Sequence, residues 1–171
     1  GHEWTERKQA KWTLRKLCDA AAENMPYSVF TMMDLQYPNM LQSFGLIRCN
    51  AKHEFVYRRP AFAAVKNVFS FFGPEVVGRG RLTVRGGLEG QQLKAVGCRK
   101  GHADVVMIWD AAKVPADEVV WRQTPVAVEG VEFSEPVLVD LATGWVYAVP
   151  KGFKTLPTSD SPVMVTERSA V

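Results

Sequence analysis

Asp34, Gln36 and Tyr37 follow the apolar stretch YSVFTMM at 27–33. A carboxylate, an amide and a phenol can all hydrogen-bond sugar hydroxyls, and a tyrosine ring offers a flat face to the C–H side of a sugar. The same trio equally suits a capped strand end with a packed aromatic, and the residues themselves leave both readings open. Other chemistries lack their groups. His2, His53 and His102 share no ligand spacing for zinc or another transition metal. No G-x-S-x-G motif supplies a serine nucleophile. The glycines around Arg79-Gly80-Arg81 and Gly86-Gly87 are not followed by the helix a phosphate loop requires, and they read as turns. No metal and no other cofactor is expected. Trp109, Trp121 and Trp145 fall in candidate strands. Facing outward they would stack on sugar rings, and facing inward they would fill a core.

The first trio depends on the elements around it. A nearly unbroken apolar run at 27–35 predicts a strand buried on both faces, as in parallel sheets covered by helices. Helices are predicted on either side. Over 5–24, Leu14, Leu17, Cys18, Ala21, Ala22 and Met25 recur at three- and four-residue intervals, with Thr5 as N-cap, Glu6 in the first turn and Pro26 beyond the end. Trp12 lies off this stripe, free to meet a neighbouring helix. Over 59–72, Pro60 suits the first helical position, and Ala61, Phe62, Val65, Val68, Phe69 and Phe72 form the predicted buried stripe before Gly73-Pro74 stops it. Between strand and second helix lie a loop at 36–43 with Pro38 and Asn39 beside Met40 and Leu41, a return to the core at Phe44-Gly45-Leu46-Ile47, and a polar excursion at 48–57. Helix, buried strand, loop and helix make one slice of a (β/α) barrel, whose strand ends line the active-site mouth. Asp34, Gln36 and Tyr37 would stand there.

From residue 76 the apolar period changes to two. Candidate strands are 81–85, 92–98, 104–110, 118–123, 126–130, 136–141, 145–150 and 163–167, and this spacing signals an antiparallel sandwich or barrel. Leu141-Ala142-Thr143-Gly144 predicts a tight hairpin with Gly144 at positive φ. The expected fold is α+β: a partial (β/α) barrel segment over 1–73, followed by an antiparallel β-sandwich over 74–171.

The 171 residues carry 21 Lys and Arg against 18 Asp and Glu, a formal net charge of +3. That excess is small and its basic residues are dispersed. Arg7-Lys8, Arg15-Lys16, Arg58-Arg59, Arg79 and Arg81 read as solvated surface, and no nucleic-acid partner is expected. Cys18, Cys49 and Cys98 are too widely spaced for a disulfide framework, and Cys18 falls on the apolar face of the first helix. No apolar stretch approaches the roughly 20 residues of a membrane span, so no membrane partner is expected.

Several motifs together resemble one family. Glu6-x-x-Gln9-Ala10-Lys11-Trp12-x-x-Arg15 is similar to the helix that follows the nucleophile-bearing strand of TIM-barrel glycoside hydrolases. The segment from Pro26-Tyr27-Ser28-Val29-Phe30 to Asp34 resembles their eighth strand, and Phe44-Gly45-Leu46 with Arg59-Pro60-Ala61-Phe62-x-Ala64-Val65 resembles the passage into their last helix. The hairpin Pro136-Val137-Leu138-Val139-Asp140-Leu141-x-Thr143-Gly144-x-Val146-Tyr147 is similar to one closing the β-sandwich many of them carry. The resemblance covers roughly 5–150 and rests on order and spacing, since no single piece is specific. It implies a C-terminal portion of a hydrolase that cleaves glycosidic bonds with a pair of carboxyl groups. In the family these are glutamates on the fourth and seventh strands, and this sequence starts after the position of the seventh. Glu3 lies three residues before Glu6, too close for a strand end and a loop, so the resemblance gives this chain no catalytic residue. Its implied partners are carbohydrate, bound through the parent barrel, and the missing barrel portion or a second copy. A stand-alone carbohydrate-binding or protein-interaction module is the other reading.

Overall fold

The structure, a computed structural model, describes residues 4–112 and 114–171. His2 and Glu3 therefore lie outside the described residues. Helix α1 spans Glu6–Ala22, and the Thr5 hydroxyl accepts the N–H of Lys8 at 3.3 Å, as its N-cap position predicts. Beyond the helix the Asn24 amide exchanges two hydrogen bonds with the backbone of Gly78. Helix α2 spans Pro60–Phe71 with the proline at its start. Its inward face holds Ala61, Ala64, Val65, Val68 and Phe71, with Phe62 and Phe72 partly buried against the same core, so the expected stripe holds except at Phe69, which is exposed. Trp12 is also exposed, with Trp4 edge-on to it at 6.2 Å.

The segment at 27–35 does not form the expected strand buried on both faces: Met33 makes an isolated bridge, bends fall at Phe30 and Met32, and Leu35 already belongs to a hairpin. It pairs on one side only, through a parallel bridge between Met33 and Ile47 and backbone bonds from Leu46 to Thr31 and Ile47 to Met32. Burial on both faces requires neighbours that the described residues do not supply, and Phe30 and Met32 are 78% and 57% exposed. The Phe30–Thr31 peptide is cis. Two short hairpins follow: β1 (Leu35–Tyr37) with β2 (Met40–Gln42), and β3 (Ile47–Cys49) with β4 (Phe55–Arg58). The predicted excursion at 48–57 is thus largely a hairpin.

The rest is antiparallel sheet: β5 (Val76–Leu82), β6 (Val84–Gly86), β7 (Leu93–Lys100), β8 (Ala103–Asp110), β9 (Arg122–Val128), β10 (Pro136–Asp140), β11 (Val146–Ala148), β12 (Thr155–Thr158) and β13 (Val163–Glu167). Six strands form one sheet in the order β11-β10-β13-β8-β7-β5, and three form another in the order β12-β9-β6. The Val-rich stretch 118–121 is not strand, and strand begins only at Arg122. The architecture is α+β, with two helices and mostly antiparallel sheets.

Side chains alternate across the six-stranded sheet, so its strands serve two cores. From β8, Val105, Met107 and Trp109 point to one side, where they pack with Leu14, Cys18, Ala61 and Val68 of the helices. Val106 and Ile108 point to the other, where Val126 of β9 and Leu156 of β12 meet them. The helices, the six-stranded sheet and the three-stranded sheet are therefore three stacked layers. Gly144 takes φ +80° in the turn between β10 and β11, as expected. Helix α2 reaches the same turn, where Asn67 Nδ2 donates to the carbonyls of Leu141 and Ala142 at 3.1 and 3.4 Å.

These layers predict unequal tryptophans. Trp109→Ala, in the helix-facing core, should cost about 3–5 kcal/mol. Trp12→Ala should stay within about 0.5 kcal/mol of the parent, as an exposed substitution does. Urea unfolding followed by circular dichroism measures both, and equal losses would refute the layered packing.

Candidate functional site

Asp34 follows the bridged Met33, and its side chain turns inward. Its Oδ1 accepts the Gly45 N–H at 3.1 Å and Arg59 Nη1 at 2.6 Å. Its Oδ2 accepts the Cys49 N–H at 3.2 Å and Arg59 Nη2 at 3.0 Å, with Arg48 Nη1 at 3.5 Å. The Arg59 fork is bidentate, and both partners are buried. A carboxylate offers about four lone-pair directions, and these donors occupy them. As it stands, Asp34 holds the loop together and has nothing left to offer a sugar hydroxyl.

Arg59 sits just before α2 and donates onward. Its Nη1 also reaches the Gly45 carbonyl at 2.6 Å, and its Nε reaches Glu6 Oε1 at 2.8 Å. The Tyr57 hydroxyl donates to the same Glu6 oxygen at 2.6 Å. One arginine thus joins the start of α1, the end of the apolar segment, the Phe44-Gly45-Leu46 return and the start of α2. Gln9 adds a bond from Nε2 to the Phe44 carbonyl at 2.7 Å. Gly45 is required by close approach: a Cβ there would lie 2.3 Å from the Met33 carbonyl carbon.

Burial pushes the Asp34 carboxyl up, but the bonds from Arg59, Cys49 and Gly45 outweigh it and hold the group below the usual carboxylate range. Burial likewise lowers Arg59, and the bonds to Asp34 and Glu6 overcome that and raise it. The bond to Glu6 holds the Tyr57 phenol above its ordinary value.

Gln36 and Tyr37 do not join this network. Both are exposed in the β1–β2 hairpin, where Gln36 Nε2 donates to the Tyr37 carbonyl at 3.0 Å. As neighbours on a strand they point to opposite faces. A nearby hollow of about 320 Å³ is lined by Phe30, Thr31, Leu35, Gln42 and Phe44, and by none of the three. Trp109 is buried, whereas Trp121 and Trp145 are exposed just outside the strands.

Two basic residues read as solvated are buried instead, Arg59 and Arg15. The reason for Arg15 is a second polar cluster. Its guanidinium donates to the carbonyls of Asp110 and Asp160, at 2.8 Å and at 2.7 and 2.9 Å. One turn earlier, Lys11 Nζ meets Asp160 Oδ1 at 2.7 Å and the carbonyls of Ala116 and Glu118 at 2.7 and 2.6 Å. The signal was present, since positions 11 and 15 share a helix face with Leu14, Cys18 and Ala22. Burial raises the thiols of Cys18 and Cys98, the latter to about 12, so both are poor nucleophiles.

Removing one partner of the buried pair should be costly. Arg59→Met strands the Asp34 charge and should destabilise the chain by about 3–5 kcal/mol. The double variant Asp34→Asn/Arg59→Met should recover part of that loss. Additive losses in denaturant unfolding would show that the two do not act as a pair.

The pH dependence follows from the depressed Asp34 value. Its contribution is complete above the unfolded-state value of ~3.9 and is lost as pH falls through the lower folded-state value. The stability gap between the parent and Asp34→Asn should therefore narrow as pH falls below about 4. A constant gap over that range would remove Asp34 from the acid response.

No protein-family model matches this chain, and no curated protein matches it.

Proposed function

We propose that this chain is the C-terminal part of a glycoside hydrolase. On this reading 1–73 is the last helix-strand-helix of a (β/α) barrel, and 74–171 is an appended β-sandwich that braces it. The intact protein hydrolyses glycosidic bonds with two carboxyl groups carried on other strands, and this chain alone is inactive. Its role is structural: it supplies one stave, the helix after it and the brace.

The observation that carries this reading is the open flank of 27–35. An apolar segment makes one isolated parallel bridge, Met33 with Ile47, and leaves Phe30 and Met32 largely exposed. Parallel pairing with apolar side chains on both faces belongs to barrel strands covered by helices. The bond network of Asp34, Gly45 and Arg59 supports it further, because it ties the end of the strand to the helix that follows. The brace is supported by the helix-facing core and by the Asn67 bonds to the β10–β11 turn.

The partner of the open flank is the remainder of the barrel or, in its absence, a second copy of this chain. Purified alone, the chain should self-associate in sedimentation velocity and bind the apolar dye ANS. Phe30→Ser with Met32→Ser should weaken both while leaving the circular dichroism spectrum unchanged. A dye-free monomer at tens of micromolar would overturn the reading in favour of a self-sufficient module.

A further inference from the structure

The face of the structure opposite the helices carries two adjoining hollows that the hydrolase reading does not use. The first, about 560 Å³, opens where the second core reaches the surface between the loop after β9 and the turn before β12. Val131, Phe133 and Phe153 form its apolar wall. The two phenylalanine rings are stacked, with centroids 6.3 Å apart and planes 27° from parallel. Both rings are half-buried against the core, so their positions are fixed by packing. The second hollow, about 500 Å³, shares Phe153 and Lys154 with the first and adds Tyr147, Gln123 and Pro157. Together they make one groove that runs past three aromatic rings.

The charge along the groove is uneven. Arg85, Lys151 and Lys154 line the first hollow against a single carboxylate, Glu132. All three cations are exposed, and Arg85 is tied to Glu129 at 2.5 Å. Lysines at such a site attract anions over a distance set by ionic strength. Anchored rings offer flat apolar faces, and Glu132 and Gln123 offer acceptors for hydroxyl groups. A ligand matching all of this has flat C–H faces, many hydroxyls and repeated negative charge.

We propose that this groove binds an acidic polysaccharide, with sugar rings against Phe133, Phe153 and Tyr147 and its carboxylate or sulfate groups at Lys151 and Lys154. A neutral glycan would leave the cations unused. The groove lies across the six-stranded sheet from the helices and from 27–35, so it stands or fails independently of the hydrolase reading.

Affinity electrophoresis of the whole chain tests it, with polygalacturonate as the carboxylate probe and chondroitin sulfate as the sulfated one. At least one should retard the chain, and salt should weaken the effect. Lys151→Gln/Lys154→Gln should lower the affinity at least tenfold, whereas the distant Lys66→Gln should not change it. Phe153→Ala should also lower it, with circular dichroism checking its fold, and the lysine pair keeps the test decisive if that variant unfolds. No retardation by either polymer would overturn the proposal. So would equal loss in Lys66→Gln, or equal binding of cellohexaose or poly(U).

Discussion

A sheet apolar on both faces has to be covered on both, and this requirement organises the chain. The buried run from Val105 to Trp109 alternates between two cores, so neither face of β8 can meet water without exposing large side chains. Each buried methylene is worth about 0.8 kcal/mol, so leaving either face bare would cost more than a typical domain's net stability. The helices cover one face and the three-stranded sheet covers the other. What looks like an N-terminal unit and a C-terminal unit in sequence therefore shares a core.

Polar groups fix how the helical layer sits. Apolar packing alone is non-directional, and α1 could slide along the sheet without much loss. Lys11 and Arg15 prevent this, because each must find several acceptors once buried, and those acceptors lie at Asp110, Ala116, Glu118 and Asp160. Arg59 does the same for the start of α2. A buried cation with its acceptors in one place tolerates only one register. Such contacts specify position more than they add stability.

Local signals were legible and distant ones were not. Thr5, Pro60 and Gly144 behave as their types predict, since caps, first-turn prolines and turn glycines answer to their immediate neighbours. The burial of Cys18 followed from helical periodicity alone. Arg15 was misread because its acceptors at Asp160 lie 145 residues away. One member of the α2 stripe was misplaced for a similar reason: Phe69 and Phe71 both fit an apolar helix, and the packing against α1 and the sheet chose Phe71. Strand β12 is absent from the candidate strands, and it accommodates Pro157 because it lies at an edge of its sheet, where a missing N–H is tolerated. The stretch 118–121 misled in the opposite direction, its valines standing exposed before the strand begins.

The candidate site shows most clearly how the same residue can serve two arguments. In sequence, Asp34 stands where a barrel enzyme presents polar groups to its mouth, and a sugar-binding role follows naturally. In space its carboxylate is enclosed by four close donors, and a group so enclosed fixes a loop. Yet three of those four donors come from the return at Gly45 and from Arg59 at the helix start, which are motifs that carried the family resemblance, and the fourth is the Cys49 N–H. Those motifs therefore have a physical reason to occur together. Gly45 allows the close approach, Asp34 gathers the backbone N–H groups, and Arg59 neutralises the charge while opening the helix. A segment end locked in this way keeps its place even though Phe30 and Met32 just before it stay exposed.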